Sequence, residues 1–384
     1  MARNESTIAR IRHALPWLLQ YPVARARAML NSSDAGPKRL IFCIANHFEP
    51  SWKGSELFDI ESQHRRLDRW FELARKTGES VLDTDGTKFR HTNFYPAEQY
   101  DRGLLEKLSG LQKEGLGEVE IHLHHGVDKP DTEDGLRNRI LDFRDTLAND
   151  HKCLSRMSGI GEPMYAFVHG NWALGNSAGG RFCGVDNELE ILNETGCYVD
   201  MTLPSAPDRS QVPVLNSIYA CGLPLKSRSP HRKAKRLTTN NRALTLPLIV
   251  TGPLMLDWTQ RMKGLPLPKL ENGELAHFRP MDIARLRRWI RANITVSGKP
   301  DWIFIKLHCH GFFDHDQSAC IGEDARRYFA EIIEYGERSQ EYTVHFATAR
   351  EMFNMAMAAA DGNSGSPGEY RDYRLVPIMN EGPY

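Results

Sequence analysis

Residues 302–311 read WIFIKLHCHG, an almost unbroken apolar run that ends in two histidines. Such a run is typical of a strand buried on both faces, as strands of a parallel sheet are. Similar short runs recur along the chain and alternate with longer segments of helical spacing. We predict strands at residues 39–45, 91–95, 118–124, 164–169, 197–203, 244–250, 302–307 and 342–346.

Helical spacing of apolar residues fills the segments between these strands. We predict helices at residues 61–76, 132–147, 187–195, 281–293, 324–335 and 348–360. Seven or eight strand–helix units in one chain favour a closed α/β barrel, and a doubly wound open sheet is the alternative. The predicted fold class is therefore α/β, with the strands arranged as an irregular barrel.

We assign residues 38–360 to this barrel. A terminal segment lies on each side of it, and one long loop interrupts it. Residues 1–37 form a basic amphipathic helical segment, which either packs on the outside of the barrel or lies in a membrane interface. A long basic loop at residues 204–241 is either a solvated surface or a binding site for phosphate groups. Residues 361–384 begin with DGNSGSPG and are predicted to be a flexible C-terminal tail.

The composition excludes several classes of protein. Acidic and basic residues number 49 each, so no overall charge draws the chain to nucleic acid or to a membrane. The seven cysteines are scattered without C-x-x-C spacing, which argues against a disulfide framework and a zinc ribbon. The apolar run at residues 14–19 is too short for a signal peptide. We therefore predict a cytoplasmic protein, with peripheral contact to the inner membrane face through the N-terminal helix as an open alternative.

Histidines follow the predicted strands. Of the fifteen histidines, six lie at the ends of three strands: His122, His124, His125, His169, His308 and His310. His47 follows the first strand in the same way. In α/β barrels the reactive residues come from the C-terminal ends of the strands. Imidazole is the commonest ligand of zinc-like ions, and carboxylates such as Glu49 or Asp128 complete such sites, so we predict a metal centre.

Six further histidines are interpreted as structural, because none has a second histidine nearby in sequence: His13, His64, His151, His231, His277 and His345. His91 and His315 are left undecided. Asp257 and Trp258 follow the sixth strand and either cap a turn or belong to the site. Within the third strand, His122 and His124 point the same way, so His122 lies one layer deeper than His124. His125 lies where the chain leaves that strand.

The strand-end phrases HFEPSW, EIHLHHGVD, FVHGNWALGNS, TGCYVDMTLPSAP and IKLHCHG carry a family resemblance. Over residues 38–355 the chain resembles the polysaccharide deacetylase (NodB-homology) superfamily, as a divergent bacterial branch of it. The resemblance implies an irregular (β/α)7 barrel. In place of the superfamily's first pair of acids, this chain has Asn46 and His47.

The resemblance also implies roles for individual residues. The metal ligands would be His47, His124 and Asp128, with His122, His125 and His169 as second choices. The catalytic residues would be Glu49 as the base, His308 as the general acid and Asp257 to orient His308. The substrate would contact Asn171, Trp172, Trp258 and His310.

The implied activity is that of a metal-dependent hydrolase acting on a C–N bond other than a peptide bond. It would remove an N-acyl group, N-acetyl first among them, from an amino sugar or its nucleotide- or lipid-linked form in bacterial surface polysaccharide biosynthesis. The implied cofactor is one divalent ion, Zn²⁺ before Ni²⁺, Fe²⁺, Mn²⁺ or Co²⁺. Two alternatives remain open: a hydrolase of the amidohydrolase or phosphoesterase type, and a saccharide-binding barrel without catalytic activity.

Overall fold

The parallel strands form a strongly curled sheet, a half-barrel with an N-terminal helix on its outside. The computed structural model describes residues 7–32, 36–53, 56–240, 244–259, 261–262, 265–266 and 268–380. The predicted fold class, α/β with a barrel-like parallel sheet, is confirmed.

Eight parallel strands build the half-barrel: β1 Lys38–His47, β2 His91–Pro96, β3 Gly117–Leu123, β4 Ile160–His169, β5 Cys197–Asp200, β6 Leu248–Val250, β7 Trp302–Cys309 and β8 Tyr342–Phe346. Their order is β6–β5–β4–β3–β2–β1–β7. One edge of β1 pairs with β8 near its start and with β2 near its end. On the other edge Ala45 is in register with His308 of β7, which fixes the relative height of the strand ends.

The closed barrel expected from the sequence is open on one side. In the described part of the chain no hydrogen-bonded ladder joins β6 to β7. β6 is only three residues long and lies between Pro247 and Pro253, which have no amide hydrogen to extend a ladder. Ile218–Cys221 pairs antiparallel with β6 instead, and Ala234–Arg236 pairs with that strand. The segment 204–241, predicted as one irregular loop, therefore contains two strands of the sheet.

Short strands lie outside these ladders or at their edges: Trp52–Lys53, Glu56–Leu57, Ser155–Met157, Met255–Asp257, Arg261–Met262, Leu265–Pro266, Lys269–Glu271, Glu274–Leu275 and Leu375–Pro377. The helices are α1 Thr7–Leu30, α2 Ile60–Ser80, α3 Arg102–Lys113, α4 Glu133–Asn149, α5 Glu188–Glu194, α6 Ile283–Ala292, α7 Gln317–Cys320, α8 Glu323–Ser339 and α9 Ala349–Ala360. Single 3-10 turns occur at Ala97–Gln99, Leu174–Asn176, Pro230–Arg232, Pro367–Tyr370 and Ile378–Asn380.

Side chains at the helix starts explain several of these bounds. Thr132 accepts a hydrogen bond from the Gly135 amide at the start of α4. Thr348 and Glu351 form a capping box that begins α9. Helix α3 was not predicted, although Asp101 caps it and its leucines recur at helical spacing.

The core lies on both faces of the curled sheet. Phe42 and Ile44 of β1 belong to a cluster that includes Leu67 and Trp70 of α2. Residues of β1 that point the other way, such as Cys43, belong to a second cluster with α9. Helix α9 is buried along its whole length, so it forms a large part of this second cluster.

The tail differs from its prediction as a flexible segment. In its described part, Leu375–Pro377 pairs antiparallel with Ser155–Met157. Asn354 of α9 accepts a hydrogen bond from the Leu375 amide at 2.9 Å and donates one to its carbonyl at 2.8 Å. These buried polar groups hold the tail against the half-barrel in spite of its glycine-rich start. Residues 381–384 lie outside the described residues.

Helix α1 packs on the outside of the half-barrel through one face. Trp17 and Ala24 are buried against Leu215 and Leu254. Its other face leaves Leu19 and nearby apolar residues exposed. Among the described helices, none combines the length and the apolar character needed to cross a bilayer.

Candidate metal centre

The C-terminal ends of β1 and β3 bring three ligand-type side chains together. Glu49, His122 and His124 each offer an atom within 4.8 Å of the others. The ring of His47 lies 4.8 Å from that of His122 and 4.5 Å from that of His310, which follows β7. We call these five residues the strand-end cluster. Their convergence follows from the parallel register, because the carboxyl ends of parallel strands meet at one edge of the sheet.

The orientation of His122 is fixed from behind. Its Nδ1 lies 2.9 Å from the carbonyl oxygen of Val168. A carbonyl oxygen only accepts hydrogen bonds, so Nδ1 carries the proton. The Nε2 atom is buried without a hydrogen-bond partner and lies 3.4 Å from Oε1 of Glu49. In the neutral ring, the Nε2 lone pair therefore faces a carboxylate oxygen, an arrangement that a cation between the two atoms would stabilise.

His124 repeats this arrangement with a carboxylate behind it. Its Nδ1 donates to Oε1 of Glu98 at 2.6 Å, and its Nε2 lies 3.0 Å from Oε1 of Glu49. A histidine that donates one ring nitrogen to a carboxylate or carbonyl and presents the other is the usual form of a metal-ligating histidine. Both imidazoles thus converge on the same oxygen of Glu49.

The electrostatics of the cluster are dominated by burial and by these contacts. Burial alone would raise the pKa of Glu49, but the contacts with His122 and His124 outweigh it and lower the pKa. Burial would lower the pKa of His124, but Glu49 and Glu98 raise that pKa to about 10. Burial and the neighbouring histidines, His310 first, lower the pKa of His47, so that ring is neutral. A metal ion binds the neutral imidazole, so binding to His124 would release the proton that this ring otherwise holds between Glu49 and Glu98.

Several buried polar atoms of the cluster have no hydrogen-bond partner. They are His47 Nδ1, Glu49 Oε2, His122 Nε2 and, in the adjoining residue of β7, His308 Nδ1. Buried unpaired polar atoms are rare in folded proteins, and a bound ion can satisfy several of them at once. The donor set, imidazoles and one carboxylate, fits zinc and similar divalent ions.

Asn46 holds the turn that carries His310. Its Oδ1 accepts a hydrogen bond from the Gly311 amide at 3.0 Å, and its Nδ2 donates to Asn93 at 3.3 Å. The residue that stands in place of an acidic residue of the resembled superfamily is therefore tied to the backbone next to the cluster.

The structure brings together part of the predicted site. Glu49, His47, His124, His122 and His310 meet in the strand-end cluster. His308 adjoins it, with its ring centroid 6.4 Å from that of His47.

Asp128 is the clearest departure from the predicted ligand set. It is exposed, because the chain turns at Gly126 with a φ of 65° and carries residues 127–130 to the surface. Glu49 and His122 stand next to His124 in its place, so the ligand set His47, His124 and Asp128 is not assembled.

Asp257 and Trp258 lie outside the strand-end cluster. Asp257 forms an ion pair with Arg288 at 3.2 Å, whereas His308 Nδ1 has no hydrogen-bond partner, so Asp257 does not orient this nitrogen. Trp258 is 54% exposed and lines a basic cleft between α1 and α6. The short strand Met255–Asp257 pairs with Lys269–Glu271, which draws both residues away from the strand ends.

The other predicted residues belong to a second group, which we call the buried cluster: His125, His169, Cys183 and Glu188. All four side chains are buried, and together they could hold a metal ion. Asn171 and Trp172, predicted to bind substrate, directly follow His169 and are half-buried. His125 and His169 were second choices as ligands of the predicted site, and they lie in this separate cluster.

Sequence reasoning missed Glu98, Asp131, Cys183 and Glu188. Glu98 follows the second predicted strand by three residues, so the strand-end rule could have found it. Glu188 opens a helix and Cys183 lies in an irregular loop, and neither position carries a motif.

A narrow crevice with almost no free volume lies beside the strand-end cluster. It is lined by His47, Glu49 and His310 on one side and by aromatic residues on the other. The Trp52 ring lies 5.8 Å from that of His310 and 5.6 Å from that of Phe313. Ligand pockets have volumes of about 300–1,000 Å³, so a small molecule would fit here only if Trp52 and Phe313 moved apart.

Comparison with known proteins gives little beyond this geometry. No family model matches the chain, and no curated protein matches it. Among solved structures, the fold is similar to TK1436, a GH57 branching enzyme from the hyperthermophilic archaeon Thermococcus kodakaraensis crystallised with glucose. The TM-score is 0.38 and the identity 11%, over 86% of this chain and 72% of that one. A likeness of this size assigns neither a family nor an activity.

Proposed function

We propose that the chain is a metal-dependent hydrolase that removes an N-acyl group, N-acetyl first among them, from an amino sugar or its nucleotide- or lipid-linked form in bacterial surface polysaccharide biosynthesis. The observation that carries the proposal is the direction of the His122 ring. Its Nδ1 donates to the Val168 carbonyl, and its Nε2, which has no hydrogen-bond partner, faces Glu49 at 3.4 Å. His124 presents Nε2 to the same oxygen.

The ligands in this proposal are Glu49, His122 and His124, with His47 and His310 beside them. This set replaces the one that includes Asp128. A divalent ion held there, zinc first, would lower the pKa of a bound water and polarise an acyl carbonyl. Glu98 holds His124 in the ligating orientation.

Two groups of the chain are in place to move protons. Oε2 of Glu49 is buried without a hydrogen-bond partner and lies 3.8 Å from Nε2 of His310, so it is free to accept a proton from an attacking water. His308 keeps the proposed role of proton donor to the departing amine. Burial lowers its pKa, so the ring is neutral in the free protein and would act as the donor only after taking up a proton during the reaction. Asp257 has no part in this mechanism.

The substrate would bind over this crevice once its aromatic walls had moved apart. Trp52 and Phe313 flank His310 and take the place of Trp258 as the aromatic wall for a sugar ring. Exposed basic residues at positions 226–235 remain the proposed contacts for a phosphate-bearing substrate. Among them, Arg228 donates a hydrogen bond to the Asn176 carbonyl at 3.0 Å, so it lies beside the loop after β4.

The test is acetate release from nucleotide-linked acetamido sugars by zinc-loaded protein. We expect turnover by the wild type and a loss of about 100-fold or more in kcat for Glu49→Gln. His64→Gln is the matched control, because His64 lies away from the cluster with Asp101 at 3.9 Å. Phosphate release without acetate would support the phosphoesterase alternative. Sugar binding without turnover would support the saccharide-binding alternative, and either result would overturn the proposal.

A further inference from the structure

We propose that the buried cluster is a structural zinc site, separate from the strand-end cluster, which ties the loop after β4 to the ends of β3 and β4. Its members are His125, His169, Cys183 and Glu188. Two imidazoles, a thiol and a carboxylate are zinc ligands, and four protein ligands are the rule in structural zinc sites. This inference does not rest on the proposed hydrolase activity.

The spacing of the ligand atoms fits one ion. His125 Nε2 lies 3.0 Å from Glu188 Oε1, and His169 Nε2 lies 3.7 Å from the same oxygen. The Cys183 sulfur lies 3.5 Å from Glu188 Oε2. Ligand atoms at zinc distances of about 2.0–2.3 Å on a tetrahedron are separated by about 3.3–3.8 Å. The separations of 3.7 and 3.5 Å lie in this range, and that of 3.0 Å between His125 and Glu188 is a few tenths of an ångström shorter.

A second layer of hydrogen bonds holds the ligands. His125 Nδ1 lies 3.1 Å from Oδ2 of Asp131, which in turn pairs with Arg139. Glu188 Oε2 accepts a hydrogen bond from the Gly175 amide. A carboxylate behind a histidine is the usual support of a zinc ligand.

Complete burial separates this cluster from the strand-end cluster. The side chains of His125, His169 and Glu188 have no exposed surface. A catalytic zinc site keeps a position open for water or substrate, whereas a structural site is closed by protein ligands. In the strand-end cluster the side chains of His124 and His310 are each 23% exposed, so we assign the structural role to the buried cluster.

The hydrogen bonds of His169 would change when a zinc ion binds. Its Nε2 is buried without a hydrogen-bond partner, and its Nδ1 lies 3.2 Å from the Asn171 amide. Binding through Nε2 would place the ring proton on Nδ1, where it would displace that amide. The turn at Asn171 and Trp172 would therefore move when the ion binds.

A bound ion would stabilise above all the loop that carries Cys183. Between β4 and α5, residues 170–187 form one 3-10 turn and otherwise irregular backbone, with φ near 60° at Trp172 and Asn176. The ion would link this loop to His125 after β3, one residue from His124 of the strand-end cluster. The alternative to a zinc site is a metal-free ion pair, in which a protonated His125 lies between Asp131 and Glu188.

The first experiment is a titration of metal-free full-length protein with cobalt(II) chloride, read by absorption. We expect a thiolate-to-cobalt charge-transfer band in the wild type. The band should be lost in Cys183→Ser and kept in Cys221→Ser, in which another buried cysteine is changed. A wild-type protein that binds cobalt without this band would overturn the proposal, and this result does not depend on whether the variant folds.

Zinc stoichiometry separates this proposal from that for the strand-end cluster. After removal of loosely bound ion, we expect two zinc ions per chain in the wild type and in Cys221→Ser, and one in Cys183→Ser. His122→Ala should also retain one ion, held at the buried cluster. If Cys183→Ser folds and keeps all the zinc of the wild type, the buried cluster is a metal-free ion pair, and the proposal for the strand-end cluster stands unaffected.

Discussion

Single hydrogen bonds decide whether the imidazoles of this site can bind a metal. Glu98 lies behind His124 at 2.6 Å and Val168 lies behind His122 at 2.9 Å, and each fixes the ring nitrogen that carries the proton. The remaining nitrogens converge on Glu49. Metal binding at this site therefore depends on groups that would not themselves contact the ion.

Glu98→Gln should weaken metal binding at the strand-end cluster by about 10–100-fold, because the amide supports the imidazole less well than the carboxylate does. A competition titration with a chromophoric chelator measures this affinity. Glu106→Gln is the matched control, since Glu106 forms an exposed pair with Arg102. Equal affinities in the two variants would contradict the positioning role of Glu98.

Asp200 should make stability fall as pH rises from about 4 to 7. Burial, helped by the charge of Glu188 and opposed by Thr202 and Lys306, raises its pKa to about 7. In this interval the carboxyl of the unfolded chain loses its proton, while that of the folded chain keeps it. The free energy of unfolding therefore decreases as the pH rises. About three pKa units correspond to about 4 kcal/mol, which Asp200→Asn should remove from the pH dependence. Urea denaturation of both metal-free proteins at several pH values is the measurement, and parallel profiles would refute the assignment.

At the scale of whole elements, the strands were predictable and the ligands only in part. Apolar runs mark the strands at residues 38–47 and 302–309 because both faces of each strand are buried. The strand-end rule then indicates His47, His122 and His310, since parallel register places them at one edge. Such a rule cannot show that Gly126 turns Asp128 outward, or that a loop cysteine meets a glutamate from a helix.

The tail could not be predicted either, because its partners are distant in sequence. Arg350 of α9 pairs with Glu118 at 2.6 Å and also donates to the Leu375 carbonyl at 2.9 Å. Composition alone indicates flexibility for a segment that starts with glycine and serine. The tail is nevertheless held in place by hydrogen bonds to polar side chains buried in α9.

Arg350→Met should destabilise the protein by about 3–5 kcal/mol, because it leaves Glu118 buried without its partner and frees the tail. Arg338→Met is the control, because that arginine forms an exposed pair with Glu334 at 3.9 Å and should change stability by about 1 kcal/mol at most. Urea denaturation measures both. A similar small loss in the two variants would mean that the buried pair does not hold the tail.

On the scale of the whole molecule, α1 presents an apolar face to the outside. Leu19 is 66% and Val23 51% exposed, on a helix that also carries Arg25 and Arg27. Apolar side chains beside basic ones are typical of helices that lie in a membrane interface. The packed face agrees with the first interpretation left open by the sequence, and membrane contact through the exposed face stays a prediction.

Leu19→Glu combined with Val23→Glu should lower binding to vesicles containing anionic lipid by about tenfold or more. Sedimentation with the vesicles measures the bound fraction. Ile160→Glu is the control, because Ile160 is a comparably exposed apolar residue outside α1. No binding by the wild type, or equal binding by all three proteins, would leave α1 as a packed surface helix only.

The most direct test of the central claim, a divalent metal held by Glu49, His122 and His124, is the metal content of purified protein by mass spectrometry. The wild type is compared with the His122→Ala/His124→Ala double variant, with folding of both checked by circular dichroism. We expect one metal ion fewer per chain in the variant. An unchanged metal content in a folded variant would contradict the claim.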